Sequence, residues 1–266
     1  MKTTLTLLFV FAALPAWAED YACLIEPMQT LKLAASVTGV VESVKVDRGD
    51  RVTKGQLLAQ LDSAVEAANL QIAQLRSTND TEIASGQAKV EFLSRKASRN
   101  EKLRNSTDFV SQTQLEETAS DAKVAVAQLH QAQLNFGQAK LEAARAEGQL
   151  KQRQILSPVD GVVTERTLGQ SEYLNDQAHI LTLAQMNPLR IEAFLPISVY
   201  GHIKIGDMAD ILPEDPVGGL YQAKVTVVDR VFDAASSTIG VRLELPNPDL
   251  ALPAGIHCHV RFRPAS

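Results

Sequence analysis

The chain has 266 residues, 45% apolar and 21% charged, with a formal net charge of −5. That is enough apolar material to build packed cores, and it excludes the disordered and fibrous classes. The acidic balance argues against a nucleic-acid partner, and none is expected.

Residues 1–18 read as a secretory signal. Lys2 gives a short positive start, Leu5 to Leu14 an apolar run, and Ala16-Trp17-Ala18 a small-x-small cleavage site ahead of Glu19-Asp20. The run is short for a bilayer span, so cleavage is expected rather than anchoring. Its removal takes one of 26 basic residues and none of 31 acidic ones, leaving 25 − 31 = −6. Cys23 follows Asp20-Tyr21-Ala22 rather than a small apolar triplet, so no lipid anchor is expected. The mature protein is expected to be soluble outside the cytoplasm. Cys258 is the other cysteine. A Cys23–Cys258 disulfide and two inert buried thiols both fit, because sequence does not supply the Cα separation.

Residues 19–36 are assigned to an N-terminal strand that joins a barrel further along the chain. At 37–62 the stretch from Gly39-Val40-Val41 through Gly49-Asp50-Arg51-Val52 to Leu57-Leu58-Ala59-Gln60-Leu61 alternates apolar and polar residues and turns at glycine. That is the pattern of short half-buried strands. A second such stretch occupies 155–183, with Ser157-Pro158-Val159-Asp160-Gly161-Val162-Val163 and then Ile180-Leu181-Thr182-Leu183. Neither buries its apolar face alone, so the two are expected to close on each other as one module. Ser157 and Asp160 read as turn residues.

Between them, 63–154 contains no proline and is filled with Ala, Gln, Leu, Glu, Lys and Arg, all good helix formers. A turn is expected at Asn105-Ser106-Thr107-Asp108, and Ser111 with Gln114 reads as a capping box for the second helix. In that helix Leu115, Ala122, Leu129, Phe136, Ala143 and Leu150 recur every seven residues, followed three later by Thr118, Ala125, Ala132, Ala139 and Ala146. Small residues at the second position permit close helix approach. The first arm shows a weaker seam, Ile72, Ile83, Val90, Leu93 and Ala97, with an interruption at Arg76 to Asn79 that reads as a stutter in a continuous helix. An antiparallel coiled-coil hairpin roughly 60 Å long is expected.

From 184 to 266 short strand candidates at Ile191–Leu195, Ala209–Leu212, Tyr221–Val228, Thr238–Leu245 and Ile256–Phe262 alternate with Gly and Pro turns, which suggests a small antiparallel barrel. Residues 197 to 204 read as a helical turn at its edge. The fold class is α+β: a split lipoyl-like β module with an inserted antiparallel α-helical coiled-coil hairpin, then the barrel.

The split halves, the intervening coiled coil and Leu252-Pro253-Ala254-Gly255 before the last strand together resemble the periplasmic adaptors, or membrane fusion proteins, of the HlyD-like efflux and secretion family. The resemblance covers essentially the whole mature chain. It implies a non-enzymatic subunit without cofactors, bridging an inner-membrane transporter of RND or ABC type to an outer-membrane channel, as a ring of three or six copies. The hairpin tip would meet the channel and the barrel the transporter. In the drug-efflux branch the tip carries Arg, Leu and Ser at fixed spacing, which places Arg99, Leu103 and Ser111 here, with one residue more between the last two than is usual. Phe109 and Val110, apolar residues outside the seam, extend the expected tip site. Four residues follow the last strand candidate, and a minimal adaptor is expected.

Other chemistries find little support. A lipoyl or biotinyl carrier of an enzyme would place a modified lysine at the turn now occupied by the hairpin, and no Met-Lys-Met stands there. A stand-alone envelope scaffold is the remaining alternative. His257-Cys258-His259 has metal-ligand types, but on a strand the histidines share one face and Cys258 takes the other, so no metal site is expected.

Overall fold

Alternating apolar residues and glycine turns give twelve strands among the described residues, and the proline-free interior gives three helices. In chain order β1 (Asp20–Leu33), β2 (Gly39–Val44), β3 (Arg51–Val52) and β4 (Leu57–Leu61) precede α1 (Ala64–Thr78), α2 (Thr81–Thr107) and α3 (Gln112–Lys151). There follow β5 (Gln154–Leu156), β6 (Gly161–Arg166), β7 (Tyr173–Leu174), β8 (Leu181–Pro196), β9 (Met208–Pro213), β10 (Tyr221–Val228), β11 (Thr238–Leu245) and β12 (Ile256–Phe262). This computed structural model describes residues 20–107 and 110–262. The signal-like segment 1–18 and Phe109 lie outside the described residues.

The long strands β1 and β8 form one antiparallel ribbon from Cys23↔Ala193 to Leu33↔Leu181. Its register shifts between Pro27 and Gln29, opposite the stretch Met186-Asn187-Pro188. Such an irregularity bends a ribbon, and here the two ends of the ribbon serve separate cores. Beyond the shift β1 and β8 close a barrel in the order β1-β12-β9-β10-β11-β8. Inward positions such as Ile239, Val241, Leu243 and Leu245 on β11 are buried, while the residues between them are not. A 3-10 turn at Ile197–Val199 falls where a helical turn is expected.

On the other side of the shift the ribbon joins β3 and β6, while β5-β4-β2-β7 forms a second sheet. Val41, Leu58 and Leu61 from the first stretch share one core with Ile155, Val163, Leu174 and Leu183 from the second. The two halves also exchange backbone bonds at their turns: Gly49 N–H donates to Val163 O at 2.8 Å, and Gly55 N–H to Ser157 O at 2.7 Å. Asp160 takes the Lys54 N–H at 2.7 Å, so this turn residue ties one half to the other. Gly161 is required sterically, because a Cβ there would run into the Ala184 carbonyl.

The helical insertion matches its heptads in α3. Every seam residue from Leu115 to Leu150 is buried or half-buried, and every other α3 residue is exposed. The first arm differs from expectation. It is not one stuttering helix: it stops at Thr78 and restarts at Thr81, with Asn79 extended at φ −87° and ψ 101°. The half-buried positions explain why. Leu70 and Ser77 are seven apart, Ile83 follows only six later, and Val90, Ala97 and Arg104 resume sevens. One missing residue turns the apolar face by about 100°, too much for a continuous coil, so the helix ends and restarts in phase. Asn79 Oδ1 accepts the Thr81 N–H at 3.2 Å as the chain restarts. Ile72, expected in the seam, is 51% exposed, and Leu70 and Ala73 take its place. The end of α2 also comes later than the expected turn, since Asn105 to Thr107 are still helical.

Candidate functional site

The tip of the hairpin is built by the last turns of α2 and the cap of α3. Arg99 and Leu103, four apart on α2, share one exposed face, with Leu103 44% exposed. Ser111 is the N-cap of α3: its hydroxyl oxygen accepts the Gln114 N–H at 3.2 Å. Its local role is therefore structural, although the residue remains exposed. Val110 is 7% exposed, which corrects the expectation that it stands out for a partner. An apolar residue at a tight helix–helix turn gains more by packing inward than by facing water. Phe109 lies outside the described residues. Of the five expected tip residues the structure thus presents Arg99 and Leu103 on one face and Ser111 at the adjoining cap.

Sequence reading missed Asn100. It occupies a seam position opposite Thr118, whose hydroxyl accepts from Asn100 Nδ2 at 3.4 Å and donates to the Gln114 carbonyl at 3.0 Å. A hydrogen-bonded polar pair in a largely apolar seam favours one register close to the tip. The sevens running from Gly86 through Leu93 would have exposed it, had the break at Asn79 been recognised. The charges of the tip separate by helix. Arg95, Lys96, Arg99, Lys102 and Arg104 lie on α2, with Glu101 among them, whereas Glu116, Glu117 and Asp121 open α3.

At the other end of the hairpin α1 and α3 leave the β module side by side. Arg153 Nη2 donates to Glu66 Oε1 at 2.6 Å and Nη1 to the Thr38 carbonyl at 3.1 Å. In the barrel Cys23 and Cys258 face each other across β1 and β12, with Cα atoms 4.9 Å apart and the sulfurs joined in a disulfide. His257 and His259 point outward on the face opposite Cys258, and His259 Nε2 lies 3.8 Å from Glu214 Oε1. Near Asp20 the Arg261 guanidinium donates twice, at 2.7 and 2.9 Å, and those hydrogen bonds hold the carboxyl below its usual range. Among the described residues no helix is long and apolar enough to cross a membrane.

Comparison with known proteins agrees with this architecture. Macrolide export protein MacA of Yersinia pestis is 29% identical over 237 residues, covering 86% of this chain and 63% of that protein. Cobalt-zinc-cadmium resistance protein CzcB of Cupriavidus metallidurans is 24% identical over 233 residues, covering 86% of this chain and 41% of that one. The chain therefore spans less than two thirds of the length of these curated relatives. Among solved structures, MacA from Actinobacillus actinomycetemcomitans superposes with a TM-score of 0.74 at 22% identity, over 93% of this chain and 79% of that one. The membrane fusion protein Spr0693 from Streptococcus pneumoniae R6 superposes at 0.64 and 14% identity, over 93% of this chain and 100% of that one. These two likenesses bear out the expected fold. The sequence profile of the CzcB-like, barrel-sandwich hybrid domain matches residues 29–185, more than half of the chain, and takes in both β halves and the whole hairpin. The chain belongs to the CzcB-like barrel-sandwich hybrid family.

Proposed function

We propose that this protein is the periplasmic adaptor of a tripartite efflux complex, a non-enzymatic subunit bridging an inner-membrane transporter of RND or ABC type to an outer-membrane channel. The observation that carries this reading is the hairpin itself. A β core assembled from two distant segments holds a coiled coil of roughly 60 Å away from the barrel, which gives the molecule two separated ends. Reach of that kind suits a connector, and it is hard to reconcile with a carrier domain, whose modified residue would stand where α1 to α3 now do. The tip, with Arg99, Leu103 and Ser111, takes the channel. The barrel takes the transporter, and copies arranged side by side as a trimer or hexamer complete the passage. Export from the cytoplasm on a signal at residues 1–18, which is then cleaved, fits the same reading.

A photo-cross-linking amino acid placed at position 103 in living cells tests it. Capture of an outer-membrane channel protein is the expected outcome, together with loss of resistance to the exported compound when the gene is deleted. Capture of a cytoplasmic enzyme, or a normal resistance profile in the deletion strain, would overturn it.

A further inference from the structure

Besides the seam between its arms, the hairpin carries an apolar row on the outer side of each arm. Leu75 and Leu141 lie opposite the seam. Each is two residues from both half-buried neighbours on its helix, Ala73 and Ser77 on α1, Ala139 and Ala143 on α3. They are 72% and 73% exposed. On α1 Leu75 completes the row Val65, Ala68, Ile72, spaced as a second apolar helix face. On α3 Leu141 repeats the exposed Leu134 seven residues earlier. Outward helix positions are ordinarily polar, and both rows are open to solvent.

The two rows stand at the same height. At the root Glu66 meets Arg153, and further up Gly86 packs on Leu129, which brings Leu75 level with Leu141. Higher still Lys89 donates to Gln128 and Asn100 to Thr118. The exposed Phe92 is therefore level with the exposed Val124, and Arg95 to Arg99 with Glu117 to Asp121. At that height the arms differ in sign. Over 91–104 α2 has five basic residues against Glu91 and Glu101, and over 116–123 α3 has three acidic residues against Lys123. Contact between like arms would set cations on cations. Contact between unlike arms sets apolar on apolar near the root and opposite charges together near the tip, with no shift along the hairpin.

We propose that the α1–α2 arm of each copy packs on the α3 arm of a second copy, with Ile72 and Leu75 against Leu134 and Leu141, and the α2 cations facing Glu117 and Asp121. The interface is heterologous and unshifted along the hairpin axis, so it repeats around an axis parallel to the hairpin and closes into a ring rather than ending at a two-fold dimer. The inference rests on the adaptor reading, to which it adds the two faces that join the copies.

The test is chemical cross-linking of the full chain in living cells with a short bis-maleimide. The native cysteines are already paired, and Leu75 and Leu141 of one chain point away from each other across the hairpin, so thiols introduced there have only another copy's to meet. Leu75→Cys with Leu141→Cys in one chain should give a ladder of dimer, trimer and larger species. Either variant alone should stay monomeric, and the two single variants produced together should stop at a dimer containing one of each. Leu75→Cys with Val124→Cys is offset by roughly 25 Å along the hairpin and should give no ladder. All three positions are exposed, and circular dichroism of the purified variants checks that the coil is intact. A double variant without a ladder, or a dimer from either single variant alone, would overturn the proposal. Channel capture at position 103 without a ladder leaves the bridging reading standing and this interface refuted, whereas a ladder without channel capture does the reverse.

Discussion

Arg153 and Glu66 meet at the root of the hairpin, where the Arg153 guanidinium joins α1 to α3 and also reaches the Thr38 carbonyl ahead of β2. The two side chains are only 24% and 19% exposed. Arg153 therefore ties the base of α1 and the segment before β2 to the chain leaving α3. Arg153→Ala leaves a largely buried carboxylate and a carbonyl without their donor, and should cost about 2 kcal/mol. Chemical denaturation of the single variants and of Arg153→Ala with Glu66→Ala checks this. A coupling energy near zero would show that the pair does not hold the root.

The disulfide predicts a second outcome. Cys23 and Cys258 are 235 residues apart in sequence, so the bond closes nearly the whole described chain. Constraining so long a loop in the unfolded state is worth about 5 kcal/mol at most. Alkylation of the denatured, unreduced protein should label no thiol, and Cys258→Ser should lower the melting temperature. Two labelled thiols would remove the bond. Cys258→Ser is expected to leave the hairpin helicity unchanged, because the bond lies within the barrel.

Asn247 predicts a third. It is 4% exposed, and its amide donates to the Met186 and Leu252 carbonyls at 3.1 and 3.0 Å while accepting the Leu252 N–H at 3.1 Å. These bonds clasp the loop after β11 to the irregularity of the ribbon, the place where the barrel joins the β module. Asn247→Ala leaves three backbone groups, the two of Leu252 buried and that of Met186 partly so, without this partner and should cost about 3 kcal/mol. Asn247→Asp should be no milder, since a carboxylate cannot donate to the two carbonyls. Thermal unfolding of both variants measures this.

What the sequence disclosed follows from which patterns are local. The sevens from Leu115 to Leu150 were readable because α3 is one unbroken helix with one partner face. The paired Gly-Val-Val stretches at Gly39 and Gly161 were readable because each half repeats the same strand-and-turn grammar, and Val41 and Val163 are both buried. The first arm was misread at Ile72 because two helices with slipped phase imitate one weak helix. Asn247 gave no sequence signal, since a polar residue between two prolines reads as an exposed turn. Its role depends on Met186, distant in the chain. The tip was legible as a place, through the Ser111 cap, but not in the inward packing of Val110, which depends on how the two helices meet.

That distinction shapes the last prediction. Leu103 is 44% exposed and Arg99 lies one turn before it on the same exposed α2 face, so Leu103→Asp and Arg99→Asp change surface side chains rather than the seam. Both variants should keep their helicity and melt within about 0.5 kcal/mol of wild type, yet lose export. Val110→Asp buries a charge at the turn, and Phe136→Asp places one in the seam beside Lys140, which sits 4.4 Å from the Phe136 ring centroid. Those two should destabilise the hairpin by about 2 kcal/mol or more, and lose export through unfolding rather than through docking. Circular dichroism and an efflux assay on the same four variants separate the accounts. Normal export by Leu103→Asp and Arg99→Asp together would mean that the exposed face of α2 is not where the channel is met, whatever the fate of the other two.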